Sequence, residues 1–154
     1  MQKPTIEQKR ARFALEKVES VLSDRHLKGL RKKFLIELRH LPANLHWGGL
    51  GQAAASLLAD PKNEPRMTIY KWLEDWLRQS GIYRVANANQ PSLIQCVTGS
   101  GGHDALQDRY VAATREARAM AVWLKKFAEA FLREPEQEKS KGGDHGAAAA
   151  TPPV

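Results

Sequence analysis

From Asp104 to Arg133 the chain returns an apolar side chain at Leu106, Tyr110, Ala113, Ala117, Met120, Leu124, Phe127 and Phe131, in alternating steps of four and three. Glycine and proline are absent from the stretch, so the spacing predicts one helix of about eight turns and roughly 45 Å. The seam is the width that packs against other helices. The opposite side carries Arg115, Arg118, Lys125, Lys126 and Arg133. Val111, Ala119, Val122 and Leu132 stand on that outward side too, and a helix apolar on both sides argues for burial against another subunit, with Val122 and Leu132 as contact candidates. Lys125, Glu129 and Arg133 follow at four-residue intervals, a spacing that suits a surface ion-pair ladder.

The same periodicity organises the rest of the chain. Thr5 followed by Gln8 forms a capping box, and Ala11, Ala14, Leu15, Val18, Val21 and Leu22 then make the inward stripe of a first helix. Phe13 falls on its far side, among Lys9, Arg10 and Lys17. An aromatic ring in a basic face can stack a base, seat a neighbouring protein, or simply be one exposed phenylalanine. A second helix is expected from Asp24 or His26 to His40, burying Leu27, Leu30, Phe34, Leu35 and Leu38. Leu41-Pro42 should end it, since proline disfavours helix in the residue before it. A third helix then runs from Pro42 to Ala59, interrupted near Gly48-Gly49, with Trp47 partly buried. Gly48, Gly49 and Gly51 point to close approach of a neighbouring helix or of a ligand.

After the loop at Asp60 to Glu64, Pro65 opens a helix with Ile69, Trp72, Leu73, Trp76 and Leu77 on one face, stopped at Gly81. Tyr83 to Gln90 is irregular. A short helix of Leu93, Ile94, Cys96 and Val97 ends at Gly99, and a glycine-rich connection leads into the long helix, with Asp104 as its cap. Residues 1–134 are therefore expected to form one all-α domain, a compact bundle of roughly five to seven helices with a long C-terminal helix. Residues 135–154, polar and alanine-rich, read as a disordered tail.

Composition narrows the function classes. The chain has 154 residues, is 42% hydrophobic and contains a single cysteine, Cys96. One cysteine excludes an internal disulfide and fits a reducing cytoplasm. The start MQKPTIEQKR has no apolar core of a signal peptide, and no run approaches the roughly 20 apolar residues of a membrane span, so no membrane role is expected. Net charge is +7, and up to Lys33 there are ten basic residues against four acids. That is the footprint of a polyanion partner or of a solvated surface. The five histidines show no metal-ligand spacing. The glycine-rich loop lacks the ending of a phosphate-binding loop, and no catalytic set emerges. The expectation is a protein that is not an enzyme and needs no metal or cofactor.

Three stretches resemble a known family. Trp123 to Leu132 (WLKKFAEAFL), Leu41-Pro42 leading into Gly49-Leu50-Gly51-Gln52, and Gln8-x-Arg10-Ala11-x-x-Ala14 are similar to the small helical subunit of the Cmr complex, the RNA-guided effector of type III-B CRISPR systems. The resemblance implies an all-helical, non-catalytic subunit of an antiviral nucleoprotein complex. Such subunits stack on neighbouring copies and help form the groove that holds guide RNA paired with target RNA. Its partners would be those copies, the large subunit, the backbone RAMP subunits and the two RNAs. By motif position it points to Arg10, Lys125 and Lys126 as phosphate contacts. Helix geometry adds Lys9, Lys17, Arg115 and Arg118, with Phe13 beside Val122 and Leu132 among the subunit contacts. The tail departs from the family pattern. The alternatives are a helical protein-interaction adaptor whose charge serves solubility, and a stand-alone nucleic-acid-binding domain, which would need a recognition helix that no segment offers.

Overall fold

The computed structural model describes residues 2–83, 92–99 and 107–134. The irregular stretch after Tyr83, the glycine-rich connection with Ser100 and His103, the proposed cap Asp104, the seam residue Leu106, His145 and the tail from Pro135 lie outside the described residues. Among those described there are six helices and no strand: α1 (Ile6–Ser23), α2 (Arg25–Lys28), α3 (Arg31–Leu58), α4 (Glu64–Gln79), α5 (Leu93–Thr98) and α6 (Gln107–Phe131).

Local chemistry sets most of the boundaries. The Thr5 amide donates to Gln8 Oε1 at 2.8 Å and the Gln8 amide to Thr5 Oγ1 at 3.2 Å, the reciprocal box that starts α1. Asp24 ends α1 and begins α2, its carboxylate accepting from the amides of His26 and Leu27. Asn63 caps α4 by accepting from Arg66 N at 3.1 Å, and Gly81, at φ 77°, follows its end.

The helix expected to stop at Leu41-Pro42 does not stop there. α3 runs 28 residues straight through Pro42. An interior proline costs about 3 kcal/mol. Phe34, Leu38, Leu41 and Leu45 lie on one buried seam across it, and each buried side chain is worth about 1.5–3 kcal/mol. Continuing the helix keeps that seam together. The break comes seven residues later, at Gly49, whose φ of 73° and ψ of 175° belong to a region that glycine alone enters readily. Tyr110 of α6 holds the kink: Gly51 N donates to its hydroxyl at 2.9 Å, and that oxygen would lie 2.9 Å from a Cβ on Gly49. Gly49 and Gly51 therefore serve close packing against α6. Trp47, just before the kink, is 85% exposed and not partly buried, because Leu45 faces inward and two residues further round a helix is the far side.

α6 is the hub, contacting α3, α1 and α4. It runs antiparallel to α3, as the pairs Gly51–Tyr110 and Arg39–Glu129 require. It also runs antiparallel to α1, through Arg10–Glu116 and Glu7–Trp123. α4 closes the back, with Trp72 stacked on Phe34 and Trp76 against Phe13. The expected seam of α6 holds at Ala113, Ala117, Met120 and Leu124, and slips at its end. Phe131 is 49% exposed while Ala128 and Leu132 are fully buried. α1 begins opposite Trp123, so nothing of it remains two turns on to cover Phe131. α3 extends further and covers Leu132.

Candidate nucleic-acid interface

The basic residues proposed on α1 divide sharply. Arg10 donates from Nε to Glu116 Oε1 at 2.7 Å and from a terminal nitrogen to Oε2 at 2.6 Å, and it also pairs with Glu7. Trp76 Nε1 donates to the same Glu116 carboxylate at 3.0 Å, and Trp123 Nε1 to Glu7 at 2.9 Å. Hydrogen bonding by Arg10 holds the Glu116 carboxyl below its ordinary range, and the two carboxylates raise the guanidinium. A bidentate pair of this kind is a clamp joining α1, α4 and α6, so Arg10 is not the free phosphate contact that its motif position suggests. Lys17 is likewise occupied, 3.9 Å from Asp75 and 5.0 Å above the Phe13 ring.

Two of the three proposed subunit contacts are core residues. Phe13 is 6% exposed, its ring 5.1 Å from that of Trp76. Reading α1 as one stripe placed it outward, but the helix is covered on two sides, by α6 and by α4. Leu132 is buried between the end of α6 and α3, lining a groove with Leu35. Val122 is exposed, as are Val111, Ile6, Ile36, Trp47 and Phe131.

The other proposed cations do face outward. Lys9, Arg115, Arg118 and Lys126 are exposed and Lys125 is half-buried. None of them has an ion pair among the described residues. Lys126 Nζ sits 5.9 Å above the Trp123 ring, a cation–π contact that leaves its charge at the surface. On α6, Val111, Arg115, Arg118, Val122, Lys125 and Glu129 fall at steps of four and three, one stripe on the side away from the core. The ladder expected within α6 does not form, because Glu129 lies 3.6 Å from Arg39 Nε of α3.

That contact shows where the stripe continues. α3 is the neighbour of α6 on this side, and beside Arg39 it brings Lys32 and Ile36 to a groove of about 330 Å³ that also receives Arg133 and Glu134. The outer face of the α3–α6 pair thus gathers Lys32, Arg39, Arg118, Lys125 and Arg133, with Glu129 and Glu134 as the local acids. Lys32 and Arg39 were missed as site residues. Their signal was present, since Lys32, Ile36, Arg39, Ala43 and Trp47 repeat at helical spacing opposite the buried seam. A second hollow of about 400 Å³, lined by His26, Lys33, Glu37, Asp60, Lys62 and Glu64 among others, mixes both signs of charge. Its His26 is paired with Glu64 at 2.6 Å and its Glu37 with Arg66 at 2.9 Å.

The described residues hold no group of three or more histidine, cysteine or acidic side chains placed to bind a metal. No helix among them is long and apolar enough to cross a membrane. An exposed row of cations on a rigid helix suits the backbone of a polyanion.

No curated protein matches the chain in a direct sequence comparison. Residues 6–131, spanning all six helices, match the family described as CRISPR-associated protein (Cas_Cmr5). The chain belongs to the Cas_Cmr5 family of CRISPR-associated proteins.

Proposed function

We propose that this protein is a non-catalytic structural subunit of the type III-B CRISPR RNA-targeting complex, one that stacks along the complex and stabilises the paired guide and target RNA through their backbones. The observation that carries the reading is the set of outward cations on α6. Arg115, Arg118, Lys125 and Lys126 are left without a carboxylate partner among the described residues on the helix that organises the core. A rigid helix presenting unneutralised charge fixes the register of phosphates and reads no sequence. Family membership supports other subunits of a Cmr complex as partners, and the proposal extends these to the RNAs that such a complex would hold. Exposed Val122 and Val111 among these charges fit a face that borders protein as well as RNA. Chemistry on the RNA would then belong to other subunits.

Reversing the charge of Lys125 and Lys126 together tests the proposal. In the assembled complex, Lys125→Glu/Lys126→Glu should weaken target-RNA binding and flatten its salt dependence by about one unit of slope per lost phosphate contact. The thermal unfolding of the subunit should change little. Unchanged affinity and slope would remove these lysines from the interface.

A further inference from the structure

We infer that Trp47 is a stacking platform for an unpaired RNA base, a single-strand contact beside the duplex-holding face and resting on the reading that RNA passes this side of the molecule. A tryptophan with 85% of its surface in solvent is unusual, because the indole is among the most apolar surfaces a chain can expose. Its position is built and not accidental. α3 breaks its helical course at Gly49, two residues past the ring. The elbow is fixed by the Tyr110 hydroxyl accepting from Gly51 N at 2.9 Å and by Leu50 N donating to Thr114 Oγ1 at 3.4 Å. The ring is therefore presented by a rigid element, with His46 edge-on to it at 5.1 Å and 75°.

The surroundings of the ring favour a nucleobase over a protein partner. Along the exposed side of α3 stand Lys32, Ile36, Arg39, His40, Ala43 and Trp47, with Glu129 of α6 set 3.6 Å from Arg39 and at a distance from the ring end. A docking site for another protein calls for a contiguous apolar patch. Here the other large exposed apolar group of the helix, Ile36, is three turns away, with Arg39 and His40 between. One flat ring at the end of a cationic track is what a single nucleic-acid strand requires, phosphates on the charges and a base face on the aromatic. Along its length a base-paired duplex presents only edges and backbone to its surroundings, so the ring serves nucleotides that lie unpaired.

The test uses the full chain at low salt, with single-stranded oligouridylate of about ten nucleotides and a blunt RNA duplex of the same length as probes. Trp72 and Trp76 are buried, while Trp123 is half-buried under Lys126, so the part of the quench that Trp47→Phe removes reports Trp47. The single strand should quench that emission and the duplex should not. Trp47→Leu, which keeps an apolar group, should bind the single strand roughly ten-fold more weakly and bind the duplex as before. Trp47→Phe should retain most of the affinity while losing the quench. Equal single-strand affinity in native protein and Trp47→Leu, equal quenching by duplex, or no single-strand binding at all would each overturn the inference. So would a Trp47→Leu chain that binds RNA normally yet fails to enter the assembled complex, which would make the ring a protein contact. If this inference fails while reversal of Lys125 and Lys126 still weakens target binding, the cradle reading survives without it.

Discussion

Glu116 determines which cations of the first helix can meet a ligand. Its carboxylate accepts two hydrogen bonds from Arg10 and one from Trp76, in a setting where both charged side chains are largely covered. Removing either partner leaves the other charge stranded. Arg10→Ala and Glu116→Gln should each cost about 2 kcal/mol, read as a lowered denaturant midpoint, without flattening the salt dependence of RNA binding. The pair also predicts an acid limb. Arg10 depresses the folded-state carboxyl of Glu116, so its stabilisation is fully present above the unfolded value of about 4.3. It is lost as pH falls through the lower folded value. A urea midpoint measured across that range should fall less steeply in Glu116→Gln than in the native protein. His26, raised by its exposed pairing with Glu64, has the opposite sign: its small contribution is present below about 6.5 and fades as pH rises through the folded value.

Among the elements, α3 shows what sequence periodicity conveys and what it conceals. The capping box at Thr5 and Gln8, the Gly81 stop, the inward face of α4 and that of α1 apart from Phe13 follow from spacing and turn chemistry, and the structure has them. Pro42 misleads because its local penalty is real and the seam on both sides of it is stronger. A proline rule sees one residue, whereas four buried side chains act together. Gly49, which does break the helix, was legible only as a weak point. Its φ and its contact with Tyr110 come from a partner 61 positions along the chain. Gly49→Ala should cost about 1–3 kcal/mol and Tyr110→Phe about 1 kcal/mol in thermal or denaturant unfolding. Gly51→Ala should cost less than Gly49→Ala, since its backbone is ordinary helix. The reverse order would place the strain elsewhere than the elbow.

Across the whole molecule the charges segregate by neighbour. α1 and α6 were both expected to offer phosphate contacts, and of the three on α1 only Lys9 stays unpaired among the described residues, because α1 turns Arg10 and Lys17 towards Glu116 and Asp75. The antiparallel neighbour that shares the outward side of α6 is α3, a pairing that no single-helix pattern could disclose. This is why Arg115, Arg118, Lys125 and Lys126 could be picked from the sequence, while Lys32 and Arg39, whose own repeat was legible, could not be joined to them. The arrangement makes Glu129 the main local brake on the positive face. Glu129→Gln should free Arg39 and strengthen target-RNA binding a few-fold, in keeping with an exposed pair worth less than about 1 kcal/mol, and should steepen the salt slope. An affinity lowered by that change would contradict the placement of the interface.

The most direct measurement is lysine acylation footprinting of the assembled complex, compared with and without target RNA. Lys125, Lys126 and Lys32 should lose reactivity when target RNA pairs with the guide. Lys71, exposed on α4 at the back of the bundle, should stay as reactive as before. Protection of Lys71 with undiminished reactivity at Lys125 and Lys126 would place the RNA on another face and contradict the proposed function.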